Sequence, residues 1–375
     1  MNKKLRPLLK WTGGKFDEFV LFSAHIPTFE RYIEPFFGGG GVFFSLQPQV
    51  PALINDKSTD LINFYNHIAD LDFKKELFLY ADAWDELGDL ASFLWYNCGV
   101  AFINFTQQTN DIAVLKDGLI QYLDIFLKRK LTLTNANFIV DSELFKAVLL
   151  ASIVDKANRI KIISSKKNDS FTTDELCIHF ETGVRSGAYL FFRRLLNLYY
   201  NHQVHLSSAK AAANWYFVRE FCYGAMFRFN SKGEFNIPYG GITYNRKKFR
   251  EKVEQVFTKE VANLFKQTTL FNEDFESFLI DAKLTTGDFI FVDPPYDSEF
   301  SEYDQSAFTQ KDQKRLASFL KATSAKWMVI IKETPFISKL YTHPGINILT
   351  FYKNYTYNVR GRNKRGVMHL IITNY

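Results

Sequence analysis

One apolar run near the C-terminus of this sequence ends at a carboxylate and is followed at once by two prolines. The run, Phe289–Val292, combines aromatic and β-branched residues, which is the composition of a buried strand. The motif after it is Asp293-Pro294-Pro295-Tyr296. Proline fixes the backbone and continues neither a helix nor a central strand, so the strand must stop here. The sequence therefore predicts that an acid, a backbone carbonyl and an aromatic ring lie together at one strand tip.

These three groups suit the methylation of an amino nitrogen that is conjugated to a ring. The lone pair of such an amine is delocalised, so it attacks an electrophile poorly until hydrogen-bond acceptors hold its hydrogens and favour a tetrahedral nitrogen. Asp293 and the carbonyl of Pro294 would be those acceptors. Tyr296 would stack on the base and hold the nitrogen in line with the methyl group. A short motif also arises by chance, and a proline-stiffened turn at the end of a core strand is the structural alternative.

The composition is that of a folded protein with a mild basic excess. The 375 residues are 47% hydrophobic and 17% aromatic, which is enough for one large core or two moderate ones. The net charge of +6 and the isoelectric point near 8.9 permit a polyanionic partner without requiring one. Three widely separated cysteines argue against a disulfide framework or a structural zinc and fit a reducing cytoplasm. No uncharged run reaches the length of a membrane span, and we expect no export signal and no anchor.

Glycines dominate the connection that follows the first predicted strand, Arg31–Glu34. Four of them, Gly38–Gly41, let the backbone turn tightly and approach a ligand, and the apolar residues after them begin a helix. A second apolar run, Ala52–Asp56, ends at an acid 18 residues after Gly38. In a doubly wound sheet such an acid holds a ribose, because a carboxylate accepts hydrogen bonds from both hydroxyls. The spacing suits a nucleoside cofactor, although glycine is also common in ordinary turns and helix caps.

The C-terminal third resumes an alternation of strands and helices. Such an alternation predicts an α/β fold with a mostly parallel sheet that is covered on both faces. Functional groups gather at the carboxyl ends of the strands in such a sheet, and Asp56 and Asp293 both occupy that position. The predicted strands are Thr268–Asn272, Phe289–Asp293, Trp327–Lys332 and Val367–Thr373, with a helix at Gln310–Thr323 between the middle pair.

Residues 84–256 differ in character, because their predicted elements are helices rich in aromatic residues. The aromatic pairs of Val184–Gln203 and Ala211–Phe227 most simply pack in a core. The segment after them, Phe227–Arg250, mixes lysine and arginine with asparagine, glycine and proline. Basic residues contact phosphates while asparagine and arginine reach base edges, so this composition suits DNA recognition. A solvated loop would have a partly similar composition.

Together these motifs resemble those of the Dam-like DNA adenine N6-methyltransferases, the D12 class or alpha group. The matching segments occur in the order of the family and lie within about residues 1–80 and 214–375. They are Lys10-Trp11-Thr12-Gly13-Gly14-Lys15, Glu34-Pro35-Phe36-Phe37-Gly38-Gly39-Gly40, Asp56, Arg228–Gly240, Asp293–Tyr296, Thr334-Pro335-Phe336 and Ile372-Thr373-Asn374-Tyr375. The resemblance is thin between about residues 85 and 210, where the chain carries additional helical sequence.

The resemblance implies a Rossmann-like, S-adenosyl-L-methionine-dependent methyltransferase sheet with an inserted, mainly helical DNA-recognition domain. The catalytic domain would comprise residues 1–83 and 257–375, and the target-recognition domain residues 84–256. The implied methyl donor is S-adenosyl-L-methionine, and the implied substrate is adenine in a short sequence of double-stranded DNA. We expect a monomer, since one flipped base per turnover needs no second subunit. We also expect the modification enzyme of a restriction-modification system, with an endonuclease that acts on the same site.

The family's motifs also imply a role for each candidate residue of this chain. Trp11 and Lys15 would close over the cofactor, Glu34 would face its methionine portion, and Asp56 would hold its ribose. Asp274 is a candidate for binding the adenine amino group of the cofactor. The complete cofactor-binding set is Trp11, Lys15, Glu34, Phe36, Gly38, Asp56, Asp274 and Asp293. The catalytic set is Asp293, Pro294, Pro295 and Tyr296, the DNA-binding set is Lys10, Arg228, Asn230, Lys232, Asn236 and Pro238, and no metal is expected.

The chain departs from the family's pattern at two places. Ile330-Ile331 stands where the family has a Ser-Asn pair before the Thr334 segment, which removes any polar role at that strand end. Members that read GATC carry an arginine directly after the Pro-x-Gly of the recognition segment, and here that residue is Gly241. The resemblance therefore does not imply GATC as the target.

The reaction implied by the resemblance is direct transfer of a methyl group from the sulfonium to adenine N6. It needs neither a metal nor a general acid, because the leaving group is a neutral thioether. The base would be extruded from the duplex, stacked on Tyr296 and bound by Asp293 and Pro294. The acidic and aromatic loop Asp297–Thr309 would close over it.

Other functions remain open from the sequence alone. An N-methyltransferase of RNA or of a protein side chain would share the strand-tip chemistry but would lack the Arg228–Gly240 segment. A DNA-binding regulator without catalysis is a second alternative, and retention of Lys15, Asp56, Asp293 and Tyr296 speaks against it. A dehydrogenase is disfavoured because the glycine loop is not Gly-x-Gly-x-x-Gly.

Overall fold

Within residues 5–107, 111–167, 171–296, 308–354 and 366–375, which this computed structural model describes, seven strands form one sheet. The strands are β1 Arg31–Glu34, β2 Ala52–Asn55, β3 Thr268–Phe271, β4 Asp288–Val292, β5 Lys326–Lys332, β6 Asn347–Asn354 and β7 Gly366–Thr373. Their order across the sheet is β3-β2-β1-β4-β5-β7-β6. The first five strands of this order are parallel, and β7 is antiparallel to both of its neighbours.

Helices make up most of the remaining described chain. They are α1 Phe19–Phe22, α2 Gly41–Leu46, α3 Thr59–Asn66, α4 Leu71–Gln107, α5 Ile112–Phe126, α6 Ala136–Ile139, α7 Ser142–Lys167, α8 Thr173–Tyr200, α9 Ser208–Phe221, α10 Ile242–Asn245, α11 Phe249–Val256, α12 Lys259–Phe265, α13 Phe275–Asp281, α14 Gln310–Ala322 and α15 Pro335–Tyr341. Short 3-10 helices lie at Ser23–His25, Thr132–Thr134 and Tyr223–Ala225. A search of these described ranges finds no helix with the length and apolar character needed to cross a membrane.

The chain divides into two compact units. One consists of Met1–Ile68 with Phe257–Tyr375 and contains the sheet, and the other is Ala69–Val256. The sequence places the divisions after residues 83 and 256, whereas the structure divides after residues 68 and 256. Residue 83 lies inside α4, a helix that belongs to the second unit as a whole.

Strand β4 lies at the centre of the sheet and is buried along its whole length. On one face, Ile290 and Val292 share a hydrophobic cluster with side chains of α13, α14 and α15. On the other face, Phe22 stacks on Phe291 with 5.8 Å between the ring centres. Burial of side chains of this size stabilises the fold by about 1.5–3 kcal/mol each. Coverage of both faces explains why the strand reads as a continuous apolar run, and the predicted α/β fold class is confirmed.

The predicted strands are confirmed, each within one residue at either end. Strand β6 was not predicted. It is the edge strand of the sheet, and its apolar residues Ile348 and Leu349 are exposed. The predicted helix Ala211–Phe227 is wrong at its C-terminal end. Helix α9 ends at Phe221, and Cys222 is extended with ψ 146°.

Helix α9 is the central helix of the second unit. Every residue from Ala209 to Phe221 is buried, and a helix that is buried on all sides lies inside a core. Its Phe217 contacts Tyr80 of α4 and Phe192 of α8, with ring centres 5.2 and 5.0 Å apart. Phe191 and Phe192 are therefore core residues, as predicted, whereas Tyr199 and Tyr200 are only half-buried.

Helices α7 and α8 approach each other closely at two glycines of α8. A Cβ at Gly183 would lie 3.2 Å from the Cα of Ile153, and a Cβ at Gly187 would lie 2.9 Å from the Cα of Leu149. Real Cβ atoms do not pack within 3 Å of a backbone carbon. The contact between the two helices therefore requires glycine at position 187.

We predict that Gly187→Ala lowers the thermal unfolding midpoint, although alanine is the better helix former. Because the methyl group meets backbone, the helices must separate, at a cost of about 1–3 kcal/mol. Gly118→Ala in α5 is the matched control, since its Cβ would make an ordinary contact 3.5 Å from the Sγ of Cys98. Its helix preference should stabilise the fold by about 1 kcal/mol or less. Equal shifts of the two midpoints in differential scanning calorimetry would contradict the close contact at position 187.

Candidate active site

The sheet changes its direction of winding between β1 and β4, which are parallel neighbours at its centre. Ligands of open α/β sheets bind outside the carboxyl ends of the strands at such a point. Glu34 is the last residue of β1, and Asp56 and Asp293 directly follow β2 and β4. The charges of Asp56 and Asp293 both raise the pKa of Glu34, so the three predicted acids lie at one site.

Lys15 lies on the Asp293–Tyr296 motif. Its Nζ donates to Oδ1 of Asp293 at 2.6 Å, to the hydroxyl oxygen of Tyr296 at 3.0 Å and to the carbonyl oxygen of Gly13 at 2.8 Å. These contacts use all three ammonium hydrogens. The Lys15 side chain is 1% exposed and that of Asp293 is 18% exposed, so the ion pair is largely shielded from water. Burial raises the pKa of the Asp293 carboxyl, and the positive charge of Lys15 opposes that rise.

Tyr296 is held from its other side by His369, a fully buried residue of β7. The hydroxyl oxygen of Tyr296 lies 3.1 Å from Nε2 of His369, and Nδ1 of the same ring lies 3.5 Å from the carbonyl oxygen of Val367. A carbonyl only accepts, so Nδ1 carries the hydrogen and Nε2 accepts from the tyrosine hydroxyl. Burial and the positive charges of Lys15 and Lys353 lower the pKa of His369 to about 4. The imidazole is therefore neutral, and the Tyr296 hydroxyl hydrogen points toward it.

A second ion pair contributes to the electrostatics of the Asp293 carboxyl. Lys353 of β6 lies 2.5 Å from Glu18, the residue before α1, and their side chains are only 9% and 15% exposed. The charges of both residues act on Asp293, Lys353 lowering its pKa and Glu18 raising it. Sequence reasoning missed Glu18, Lys353 and His369, because they come from distant segments and share no motif. The signal that was available was a histidine inside the apolar run of β7.

Glu34 is a buried acid at the end of β1, with an exposure of 2%. It accepts a hydrogen bond of 2.8 Å from the hydroxyl of Tyr32, two residues earlier on the same face of the strand. Burial raises the pKa of Glu34 well above its usual range, and the Tyr32 hydrogen bond only partly opposes this shift. A role for Glu34 at the methionine portion of the cofactor stays a prediction.

The glycine loop after β1 is held by Asp56 and by the ring of Trp11. The Gly38 amide donates to Oδ2 of Asp56 at 2.8 Å, and the Ser58 amide donates to Oδ1 at 2.9 Å. Gly38 has φ 52°, and a Cβ on it would lie 2.7 Å from Cδ1 of Trp11. Both features require glycine there, because the Trp11 ring packs directly on the loop backbone. Asp56 therefore joins the glycine loop to the start of α3.

A buried asparagine aligns the loops that border this site. Nδ2 of Asn55 donates to the carbonyl oxygens of Pro35 and Glu273 at 3.1 Å each, and its Oδ1 accepts from the Glu273 amide at 2.9 Å. The side chain therefore joins the segments that follow β1 and β3. The sequence offered no indication of this role, because one asparagine before Asp56 is not a motif.

Asp274 has a structural partner in the fold. It caps α13 by accepting from the Glu276 amide at 3.1 Å, and Nη2 of Arg315 lies 2.7 Å from its Oδ1. Burial alone would raise the pKa of Asp274, but the hydrogen bonds from Arg315 and the Glu276 amide lower it below its usual value. A role for this carboxylate at the cofactor adenine stays a prediction.

Phe36 belongs to an aromatic group beside α13. Its ring centre lies 5.4 Å from that of Phe275 and 5.4 Å from that of Phe308. Phe308 and Thr309 are the described end of the predicted closing loop, and Thr309 caps α14. Residues 297–307, which carry the rest of that prediction, lie outside the described residues.

Helix α14 also contacts the Asp293–Tyr296 motif. The carbonyl of Pro295 accepts from Nε2 of Gln313 at 2.9 Å.

The two departures from the family pattern have clear structural correlates. Ile330 and Ile331 are fully buried in β5 and pack in the core, so this strand end has no polar group at these positions. Gly241 adopts φ 85° and ψ −162°, a conformation open essentially to glycine alone. An arginine at position 241 would therefore need a different backbone.

The predicted recognition segment begins with a tight turn in the second unit. Phe229 and Phe235 form an antiparallel bridge, and Gly233 has φ 75°. Oδ1 of Asn230 accepts from the amides of Lys232 and Glu234 at 2.9 and 3.0 Å. Asn230 therefore shapes the turn itself. Lys232 is exposed at its tip.

The side chains after this turn are alternately buried and exposed. Phe235, Ile237 and Tyr239 are buried, while Asn236 and Pro238 between them are exposed. A period of two is that of an extended chain with one buried face. The exposed predicted DNA-binding residues of this unit are Arg228, Lys232, Asn236 and Pro238, and Lys10 is exposed in the first unit.

Comparison with known proteins agrees with this geometry. A sequence model of the family described as "D12 class N6 adenine-specific DNA methyltransferase" matches residues 11–181 and 157–357. The type II methyltransferase M.CviBI of Paramecium bursaria Chlorella virus NC1A is 24% identical and aligns over 99% of this chain and all of that protein. The type II methyltransferase M.MjaIII of Methanocaldococcus jannaschii is 26% identical with the same coverage. The DNA adenine methylase of Vibrio cholerae is 23% identical over 96% of this chain and 94% of its own length.

The sheet order and the acids at its strand tips define a Rossmann-like methyltransferase. The chain belongs to the D12 class of N6 adenine-specific DNA methyltransferases. It is a site-specific enzyme that methylates adenine in DNA, as the resemblance of its motifs implies.

We predict that the His369 ring remains neutral well below the ordinary histidine range. Protonation would place a buried positive charge beside Lys15 and Lys353, which holds the pKa near 4. In spectra of protein with ¹³C-labelled histidine, one ring signal should keep its chemical shift between pH 8 and pH 5. The spectrum of His369→Gln identifies that signal by its absence. A midpoint near 6.5, the ordinary histidine value, would contradict the assigned hydrogen-bond direction.

Proposed function

We propose that this enzyme uses S-adenosyl-L-methionine as methyl donor and binds it at the carboxyl ends of β1 and β2. The observation that carries the proposal is the meeting of Glu34, Asp56 and Asp293 at the switch point of the sheet. The donor supplies a methyl group on a positively charged sulfur. A cluster of acids with a backbone loop fits such a cationic nucleoside better than it fits a phosphate-bearing cofactor.

Each candidate binding residue has a distinct task in this proposal. Asp56, whose two oxygens bind the Gly38 and Ser58 amides, accepts from the ribose hydroxyls at the tip of β2. Glu34 faces the ammonium of the methionine portion, which favours the charged carboxylate and offsets the effect of its burial. Trp11, packed on Gly38, forms a wall of the pocket.

We propose that Asp293, the Pro294 carbonyl and Tyr296 hold the target adenine after it has left the duplex. The carboxylate and the carbonyl accept from the two N6 hydrogens, and the tyrosine ring stacks on the base. Lys15 and His369 fix the orientation of that ring, since they bind its hydroxyl from two sides. The Gln313 bond to the Pro295 carbonyl keeps the backbone of the motif in place.

The transfer forms one bond between N6 and the methyl carbon and breaks the bond between that carbon and sulfur. The electron pair of the broken bond stays on sulfur, which becomes neutral. One N6 hydrogen must then leave as a proton. Burial raises the pKa of Asp293, which makes its carboxylate a better acceptor for that proton, and Lys15 keeps it charged beforehand.

We predict that Asp293→Ala abolishes methyl transfer, lowering its rate by at least about 100-fold, while S-adenosyl-L-methionine still binds. Modified-base sequencing of DNA from expressing cells measures transfer, and titration calorimetry measures donor binding. Asp281→Ala is the control, because it removes an exposed acid of the same unit. Equal turnover of the Asp293 variant and the intact enzyme would refute its catalytic role. If the intact, folded protein binds the donor but methylates no DNA site, RNA or protein substrates become the leading alternatives.

We propose that the exposed side of residues 228–240 reads the DNA target. Arg228, Lys232, Asn236 and Pro238 are exposed on a segment whose other side is buried, so their side chains are available to a duplex. Arginine binds guanine in a bidentate manner and asparagine binds adenine, whereas a lysine at a turn tip suits a phosphate. The glycine-restricted backbone at position 241 favours a target other than GATC.

We predict that Arg228→Gln costs about 1–3 kcal/mol of cognate binding and relaxes specificity at one base pair. Lys232→Gln is the matched comparison, because it removes a charge from the same segment. It should weaken binding to all sequences equally. Binding to the cognate duplex and to a duplex with a scrambled site, measured at the same salt concentration, separates the two effects. A uniform loss for Arg228→Gln would mean that this residue contacts phosphate instead of a base.

We infer that the enzyme serves as the modification component of a restriction-modification system. Two proteins that align with nearly the whole chain are named type II methyltransferases. Modification of every copy of one short sequence in cells, together with a nuclease that cuts the same sequence when it is unmethylated, would establish this role.

A further inference from the structure

One face of α8 carries three polar side chains at intervals of four residues. They are Tyr189, Arg193 and Asn197, and residues four apart lie above one another on a helix. All three bind the backbone of residues 235–237, the extended part of the recognition segment. This helix comes from the part of the chain where the family motifs are thin, so its function has no motif to indicate it.

Asn197 binds the recognition segment as a neighbouring strand would. Its Oδ1 accepts from the Phe235 amide at 2.8 Å, and its Nδ2 donates to the Phe235 carbonyl at 3.0 Å. Both backbone groups of one residue are thus satisfied by one amide side chain. The Phe235 ring is buried against Phe227, with 4.5 Å between the ring centres.

The carbonyl of Ile237 receives two donors from α8. The Tyr189 hydroxyl donates to it at 2.7 Å, and Nη1 of Arg193 donates to it at 3.0 Å and to the Asn236 carbonyl at 3.3 Å. Tyr189 is fully buried, and the guanidinium bonds are charge-assisted. A buried carbonyl that loses one donor here keeps the other.

The same face of α8 continues to the end of the segment. The Tyr239 hydroxyl donates to Oδ1 of Asn245, and Nδ2 of Asn245 donates to the hydroxyl of Thr182, each at 2.9 Å. Thr182 lies seven residues before Tyr189, which is two helical turns along the same face. Three side chains of α8 therefore hold the backbone at Phe235 and Ile237, and Thr182 is linked to the Tyr239 hydroxyl through Asn245.

We propose that this face of α8 is a clamp that sets DNA specificity indirectly, with Tyr189, Arg193 and Asn197 as positioning residues. The inference rests on the proposed role of residues 228–240 in reading the target. The clamp holds backbone atoms of the inward positions, and this fixes the direction in which Asn236 and Pro238 project. A base contact tolerates little displacement, so loss of the clamp reduces discrimination between sequences more than it reduces the chemical step.

The test is a double-mutant cycle on the two donors to Ile237. Tyr189→Phe and Arg193→Gln each leave one donor in place, so each should lower discrimination by less than about threefold, and the double variant should lower it by about tenfold or more. Discrimination is the ratio of kcat/KM for the cognate duplex to that for a duplex with one changed base pair. Arg194→Gln is the matched control, since it removes the same charge from the next, exposed position of the helix.

Two further readouts make the result specific. Hydrogen exchange at the Phe235–Ile237 amides should accelerate in the double variant, while the affinity for S-adenosyl-L-methionine stays unchanged. If the double variant fails to fold, Asn197→Asp provides a second route, because it keeps the size of the side chain but places an acceptor against the Phe235 carbonyl. It should also lower discrimination and accelerate exchange of the same amides.

The outcomes distinguish the clamp from the role of the segment itself. Loss of discrimination in Arg228→Gln together with unchanged discrimination in the clamp variants overturns the clamp and leaves DNA reading by the segment in place. Unchanged discrimination in Arg228→Gln and in the clamp variants, with accelerated exchange in the latter, refutes DNA reading and with it the effect on specificity. An equal fall of kcat/KM for both duplexes in all clamp variants shows a structural role only.

Discussion

The ion pair between Lys15 and Asp293 is the interaction on which the candidate active site depends. Removing two charges from water costs several kcal/mol for each ion, and their attraction offsets this cost only when the remaining hydrogen-bonding groups are also satisfied. Here the Gly13 carbonyl and the Tyr296 hydroxyl complete the shell of the ammonium. Two segments that are remote in sequence, residues 13–15 and 293–296, must therefore meet before either charge is compensated. The position of Tyr296 follows from the same network through His369.

Much of the sheet and its strand-tip acids could be predicted from the sequence. The central strands are buried on both faces, so they read as short apolar runs, and an acid directly after such a run marks a carboxyl end. Asp56 and Asp293 were located in this way, and glycines that contact Trp11 marked the loop after β1. Local patterns predict these features because burial of a strand and the acid at its end are both determined within a few consecutive residues. The edge strand β6 was missed, and its apolar residues Ile348 and Leu349 are exposed instead of buried.

The residues that complete the site could not be predicted, because their roles depend on partners far along the chain. His369 and Lys353 reach Asp293 or Tyr296 only after β6 and β7 have joined the sheet. The sequence indicated Asp274 only as a candidate for the cofactor adenine, and its ion pair with Arg315, 41 residues away, left no local pattern. In the second unit, the spacing of aromatic residues predicts the helices. The role of Tyr189 and Arg193 could not be predicted, because both donate to a carbonyl of residues 235–237, more than 40 residues away.

The amide of Asn197 and the donors to Ile237 contact peptide groups, which every residue other than proline offers in the same form. Exchange of the outward side chains at positions 236 and 238 therefore leaves the hydrogen bonds of the inward frame intact. Mutation can alter the exposed surface without loss of the fold that presents it. The outward side chains can therefore vary during evolution, while the hydrogen bonds to the inward backbone persist. Related enzymes can differ in the exposed surface and keep the same scaffold.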